Sequence, residues 1–101
     1  MKLNLQPASP SVYIIRFCRE LELPGDVENT AISILNQAIA AELTSGRGPT
    51  GVAAAAIYIA SVVHDMRKTQ KTIADTVGVT EVTIRNRSKE LAKNLDIVVY
   101  L

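Results

Sequence analysis

The sequence predicts an all-α domain of five helices, and three observations support this fold class. The chain has 101 residues, which is enough for one hydrophobic core but not for two separate ones. Apolar residues make up 48% of the chain and aromatic residues only 4%, a composition that favours closely packed aliphatic helices. Residues 52–63 are apolar apart from Tyr58 and Ser61, and a helix that is apolar on every side must be surrounded by other apolar groups.

This central helix is expected over 51–63, with Thr50 as its N-cap after a break at Gly48 and Pro49. Four successive alanines, at 53–56, would let neighbouring helices approach closely. The apolar run is shorter than the roughly 20 residues that a membrane span needs. We therefore expect the surrounding groups to be other helices and not lipid.

Two amphipathic helices are predicted before the central one. Helix one starts at Pro10, behind an N-cap at Ser9, and extends to about Glu22. Helix two is capped by Asp26 and extends to about Glu42. The buried positions expected from the helical spacing of apolar residues are Ile14, Phe17, Cys18 and Leu21 in helix one, and Val27, Ala31, Ile34, Leu35, Ala38 and Ile39 in helix two.

A helix-turn-helix is predicted after the central helix. Thr69 is the expected N-cap of a short helix over 70–77. A turn over 78–80 then leads into a longer helix over 81–94. A turn this short sets the two helices at a steep angle.

Three residues of this motif are expected to have structural roles. Ala74 is small enough to let the two helices cross closely. Gly78 suits the left-handed backbone conformation that ends a helix. Ile84 is expected to pack behind the turn, against the apolar residues of the shorter helix.

The second helix of the motif separates its residues by face. The stripe expected to face the core consists of Ile84, Ser88, Leu91 and Leu95, and the opposite face carries Val82, Arg85, Lys89 and Lys93. Val82 lies roughly 150° from the core stripe, so an apolar side chain points away from the protein in the first turn. A valine there can contact a thymine methyl group, and Arg85 can pair with guanine O6 and N7 in the major groove.

Charge and composition exclude several other functions. The net charge is only +1, but residues 1–46 hold three Lys or Arg and five Asp or Glu (−2), whereas residues 47–101 hold eight and five (+3). Cys18 is the only cysteine and is expected to be a buried apolar residue, and the only histidine, His64, is expected at a solvent-facing helix end. We expect no disulfide, metal, cofactor or enzyme chemistry, because no nucleophile, carboxylate pair or Walker loop is recognisable.

On the residues alone, two functions remain open. One is DNA binding through the outward face of the second motif helix. The other is a protein-binding helical module, since helix-turn-helix packing also occurs without DNA and a basic helix face is often only solvated. The exposed side chains of Val82, Arg85 and Lys89 distinguish the two, because a protein-interaction module leaves them unexplained.

Three segments carry a resemblance to a known family. GRGPTGVAAAAIYIAS at 46–61 and KTQKTIADTVGVTEVTIRNRSKEL at 68–91 look like the second cyclin-like repeat of transcription factor B, the archaeal relative of eukaryotic transcription factor IIB. PSVYIIRFCRELELPGDV at 10–27 resembles the first helix of that repeat. The resemblance covers nearly the whole chain from about Pro10 and implies a five-helix cyclin-like fold built around its third helix.

The resemblance also implies a function. Such a repeat binds a promoter already bent by the TATA-binding protein and helps to recruit RNA polymerase. Its helix-turn-helix reads the B-recognition element upstream of the TATA box, and Val82 and Arg85 match the family's base-contacting positions. Arg47 matches a loop close to the DNA backbone, and the further candidates for backbone contacts are Thr69, Lys71 and Lys89.

Two departures from the family's pattern bear on the expected partners. The zinc ribbon that engages polymerase and the first repeat are missing, so contacts with TATA-binding protein and RNA polymerase are expected mostly through regions outside this chain. Ser88 stands where relatives usually carry a tyrosine.

The chain is expected to divide into a lead-in at 1–9, the repeat at 10–95 and a tail at 96–101. We also expect a monomer without a membrane partner. Its expected location is the cytoplasm of an archaeon, at the nucleoid, or the nucleus if the source is a eukaryote. A stand-alone helix-turn-helix regulator remains an alternative function.

Overall fold

The computed structural model describes residues 10–44, 48–66 and 68–97, and within these ranges it contains five helices and no strand. The helices are α1 (Pro10–Glu20), α2 (Gly25–Ala40), α3 (Pro49–Val63), α4 (Gln70–Val77) and α5 (Glu81–Asn94). The predicted all-α fold class is confirmed.

The central helix is α3, which packs against each of the other four helices. All residues from 51 to 61 are buried, and the four alanines at 53–56 are completely inaccessible to solvent. Val63 is 50% exposed, so the apolar run continues slightly beyond the helices that enclose it. The predicted enclosure of this helix is therefore confirmed except at its last turn. None of the helices described here is both long and apolar enough to cross a membrane.

The first two helices end two residues earlier than the sequence predicts. The predicted last residues, Glu22 and Glu42, have left-handed backbone conformations, with φ of 59° and 61°. The amide of the next residue then donates to a carbonyl of the preceding turn, from Leu23 at 2.9 Å and from Leu43 at 2.8 Å. Glycine usually occupies such a left-handed position, so an acidic residue there gives no signal of a helix end.

The starts of α2 and α3 also differ from the prediction. Gly48 is the N-cap of α3 and Pro49 its first residue, so Thr50 lies inside the helix and is not the cap. Proline suits this first position because it has no amide hydrogen to leave unpaired. At the start of α2, Pro24 occupies the cap position and Asp26 makes no capping hydrogen bond. Asp26 lies in the first turn instead, where its charge meets the positive end of the helix dipole.

The predicted buried faces of α1 and α2 are confirmed, with one exception. Ile39 is 42% exposed, because it lies at the edge of the apolar stripe near the end of α2. Cys18 is completely buried, as expected of a small apolar residue. Burial raises the pKa of its thiol to about 11, and the nearby negative charge of Glu28 adds to this effect.

The remaining predictions concern His64, the tail and the lead-in. His64 is exposed at the C-terminal end of α3, as expected, and its Nε2 lies 2.6 Å from the Thr30 hydroxyl of α2. Within the tail, Ile97 is half-buried against the core. Residues 98–101 and the lead-in at 1–9 lie outside the described residues. The described part of the chain contains no group of acidic, histidine or cysteine side chains able to hold a metal ion.

Candidate nucleic-acid interface

The helix-turn-helix has the bounds that the sequence predicts, and its turn depends on one backbone conformation. Gly78 has a φ of 90°, in the left-handed region. Its amide and that of Val79 both donate to the carbonyl of Ala74, at 2.8 and 3.1 Å, which ends α4. A Cβ added at Gly78 would meet nothing within 4 Å, so glycine is required by the backbone conformation and not by a lack of space.

The two motif helices share the core of the domain. Ala74 is 4% exposed in α4, and Ile84 is completely buried in α5. Val77 at the end of α4 and Val79 in the turn are half-buried against the same core. Ala74 and Ile84 are therefore buried as the sequence predicts, and their roles at the crossing of the two helices stay predictions.

Both motif helices begin with the same threonine cap. The Thr69 hydroxyl accepts from the Thr72 amide at 3.0 Å and donates to the Thr72 hydroxyl at 2.8 Å. Thr80 makes the equivalent bonds with Thr83, at 3.1 and 2.9 Å. The sequence prediction places Thr80 only in the turn, although the repeated spacing of threonines three residues apart is a signal for the cap. The caps hold the first turn of each helix in place. The Thr69 hydroxyl makes both of its hydrogen bonds to Thr72, in the helix that it caps.

The two faces of α5 are confirmed. Ile84, Ser88 and Leu91 are buried, whereas Val82 is 52% exposed in the first turn. Leu95, the last member of the predicted core stripe, is half-buried just after the end of the helix. The basic residues of the outward face, Arg85, Lys89 and Lys93, are exposed as well. An apolar side chain and three cations therefore share one solvent-facing side of the second motif helix.

Three further cations near the motif differ in their surroundings. The Lys71 ammonium lies 3.5 Å from the Asp75 carboxylate, but both side chains are about 70% exposed, and such surface pairs contribute little. Arg87 is half-buried and lies 2.8 Å from the Glu90 carboxylate, on another side of α5. Arg47, predicted to contact the DNA backbone, lies outside the described residues.

The start of α3 lies against the start of α5. A Cβ added at Gly51 would be only 3.3 Å from the Thr83 methyl group, so Thr83 would have to shift by a few tenths of an ångström to accommodate it. The sequence predicts no role of this kind for Gly51, because a glycine in a first turn does not reveal what it approaches. The amide-rich first turns of these two helices thus lie side by side.

These features define an all-α, cyclin-like domain with a helix-turn-helix whose second helix exposes a basic face. The sequence pattern of the family described as transcription factor TFIIB repeat matches residues 3–94, and the chain belongs to this family. The family expected from the sequence is therefore confirmed.

Relatives of known name agree with this assignment. Over its whole length the chain is 65% identical to the transcription initiation factor IIB of Methanococcus aeolicus and 62% identical to that of Methanothermococcus thermolithotrophicus. It is 61% identical to the factor of the same name from Methanothrix thermoacetophila. In each case the chain spans 30% of the relative's length.

Proposed function

We propose that this chain is the second, promoter-binding repeat of a general transcription initiation factor. In this proposal α5 enters the major groove and reads the B-recognition element upstream of a TATA box bound by TATA-binding protein. Support comes from the family, from the names of the relatives and from the exposed face of α5. Contacts with TATA-binding protein and RNA polymerase are assigned mostly to the rest of the factor, since this chain spans 30% of its relatives.

The observation that carries the proposal is the exposed side chain of Val82 beside Arg85. Val82 is 52% exposed in the first turn of the second motif helix and does not belong to the hydrophobic core. In the major groove this valine would pack on a thymine methyl group, and Arg85 would bond to guanine O6 and N7. A protein-binding role gives no comparable reason for this pair of residue types at these positions.

The other candidates would position the domain on the DNA without reading its sequence. Lys89 lies one turn beyond Arg85 on the same exposed face, within reach of a phosphate. Lys71 would exchange its weak surface pair with Asp75 for a phosphate. Thr69 holds the N-terminus of α4, whose first-turn amides favour an anion, and Arg47 is assigned to the backbone by its match to the family's loop.

Binding of two duplexes tests this function, one containing a B-recognition element and a TATA box and the other a scrambled sequence of equal length. Arg85→Ala should weaken binding to the promoter duplex by about 1–3 kcal/mol and relax the preference at one base pair. Arg87→Ala is the matched control, because Arg87 has the same charge on the same helix but is half-buried beside Glu90. Fluorescence anisotropy with and without TATA-binding protein measures both effects.

Two outcomes would contradict parts of the proposal. An equal loss on both duplexes would make Arg85 a phosphate contact and not a base-reading residue. If the unmodified chain bound promoter and scrambled DNA alike, also beside TATA-binding protein, the promoter-reading function itself would be wrong.

A further inference from the structure

An acidic residue lies at the exposed start of α5, one turn before Arg85. Glu81 is the first residue of the helix and is exposed, four positions before Arg85. Residues four apart on a helix have Cβ atoms about 6 Å apart on the same side. In the described part of the chain, no hydrogen bond or ion pair joins the side chain of Glu81 or Arg85 to another residue. Both charged groups are therefore open to a common partner.

A carboxylate at this position is unfavourable for general attraction to DNA. It faces a polyanion, and each phosphate near it would repel it. Its negative charge does interact favourably with the positive N-terminal end of the helix dipole. Asp26 makes the same kind of interaction in the first turn of α2, outside the helix-turn-helix. A specific acceptor role in the groove would explain why an acidic residue lies one turn before Arg85.

The chemistry of the major groove limits what a carboxylate can bind there. An ionised carboxylate only accepts hydrogen bonds, and the base edges offer only two donors, the N4 amino group of cytosine and the N6 amino group of adenine. Adenine also presents its N7 acceptor beside that amino group, and guanine and thymine present acceptors, all of which repel a carboxylate. Cytosine is therefore the base that Glu81 would favour.

We propose that Glu81 is a specificity-determining residue whose carboxylate accepts a hydrogen bond from the N4 amino group of a cytosine. The cytosine lies within two base pairs of the guanine contacted by Arg85, because about 6 Å along the helix corresponds to less than two steps of about 3.4 Å. This inference rests on the proposed function, since it requires that α5 enters the major groove. It adds repulsion of the wrong bases to the attraction supplied by Val82 and Arg85.

The surrounding structure holds Glu81 in a defined place. Thr80, directly before it, caps the helix through the Thr83 amide at 3.1 Å. Thr83 in turn packs against the start of α3 at Gly51, where an added Cβ would lie 3.3 Å away. The start of α5 that carries Glu81 is thus held both by its own cap and by contact with α3.

The test uses the complete chain and a pool of randomised duplexes at about 50 mM salt, where electrostatic contacts are strong. Selected sequences are then measured by anisotropy with every single base-pair change. The unmodified chain should prefer cytosine at one position by roughly 5- to 150-fold. Glu81→Ala should lose this preference and keep the guanine preference that Arg85→Ala loses. Glu81→Gln should shift the preference toward adenine, because an amide pairs with both N6 and N7.

A matched control separates base reading from the general effects of removing a carboxylate. Asp26→Ala removes an exposed first-turn acid from α2 and should leave every base preference unchanged. Glu81→Ala and Glu81→Gln should instead bind unrelated duplexes severalfold more tightly, because one charge that repels phosphate is gone from the start of α5.

Three results would overturn the inference. An unchanged base profile in Glu81→Ala, with only a lower melting temperature, would reduce Glu81 to a partner of the helix dipole. Loss of the guanine preference alone would mean that Glu81 only positions Arg85. If the unmodified chain and Arg85→Ala both showed no base preference, the proposed promoter-reading function would fail together with this inference, and that result is distinct from the first two.

Discussion

Ser61 and Ser88 are both buried inside helices, but only one of their hydroxyl groups is hydrogen-bonded. Ser61 Oγ donates to the carbonyl of Tyr58 at 2.8 Å within α3. Ser88 is 1% exposed in α5, and its Oγ has no partner among the described residues. A buried polar atom without a partner destabilises a fold by about 1–3 kcal/mol. At the position where members of the family usually carry a tyrosine, this chain therefore has a small side chain whose unpaired hydroxyl is unfavourable for stability.

Replacing these two serines should have opposite effects on stability. Ser88→Ala should raise the free energy of unfolding by about 1 kcal/mol or more, because it removes an unpaired hydroxyl. Ser61→Ala is the control, since it brings the same helix propensity but breaks a hydrogen bond worth about 0.5–1.5 kcal/mol. Urea unfolding of the three proteins measures the difference. Equal changes in both variants would show that the Ser88 hydroxyl is satisfied.

Cys18 should make stability depend on alkaline pH. Its pKa is about 11 in the folded chain, against an ordinary value of 9.0, so the unfolded chain loses the thiol proton first as the pH rises. The unfolded state then binds fewer protons than the folded one, and the free energy of unfolding falls between pH 9 and about 11. Urea unfolding of the unmodified chain and of Cys18→Ala should diverge over this range. Parallel pH profiles would contradict the shifted pKa.

At the scale of the helices, four of the five are followed by an acidic residue in the left-handed conformation. Their φ values are between 57° and 61°, and the residues are Glu22, Glu42, Asp65 and Asp96. A residue with a side chain costs roughly 1–2 kcal/mol in this conformation, and a negative charge at a helix C-terminus opposes the dipole. Hydrogen bonds from the following amides to the last turn offset part of this cost.

Glycine at such a helix end should stabilise the fold. Glu42→Gly should raise the free energy of unfolding by about 1 kcal/mol, because it relieves the left-handed conformation and removes the charge from the end of α2. Gln37→Gly, at a helical position of α2, should instead lower it by roughly 0.5–1 kcal/mol. Thermal unfolding compares the two variants. A loss of stability in both would mean that Glu42 makes contacts stronger than the strain of its backbone.

At the scale of the whole molecule, charge is divided between the two halves of the sequence. Residues 1–46, which include α1 and α2, carry −2, and residues 47–101, which include α3, α4 and α5, carry +3. The net charge of +1 gives little long-range attraction to DNA, so binding depends on the local face of α5. A small single module buries only about 600–1,000 Å² on DNA. We therefore expect weak binding by this chain alone and tighter binding when it is tethered within a complete factor.

The salt dependence of DNA binding tests this local electrostatic contribution. Lys89→Ala should weaken binding to promoter and scrambled duplexes alike and lower the magnitude of the log–log salt slope by roughly 0.9, the amount for one phosphate contact. Arg16→Ala is the control, because its guanidinium lies on α1 over the Phe17 ring, 4.8 Å from the ring centroid. A slope unchanged in Lys89→Ala would remove Lys89 from the interface.

The sequence by itself determined the fold class, the number of helices, the bounds of the helix-turn-helix and the two faces of α5. These features depend on interactions within a few residues of chain, and such interactions leave local patterns. The Thr69 cap, the left-handed Gly78 and the helical spacing of apolar residues are signals of this kind. The outward position of Val82 follows from the same periodicity, so the local pattern is sufficient to propose the base-reading candidates.

Only the tertiary structure decided which of these groups lie together and which polar groups are satisfied. Gly51 and Thr83 are far apart in sequence, and their close approach depends on how α3 packs against α5. The unpaired hydroxyl of Ser88 depends likewise on what its neighbours offer. The ends at Glu22 and Glu42 were wrong in the prediction because hydrogen bonds from the following amides to the last turn stabilise the left-handed conformation there, against the residues' own backbone preference.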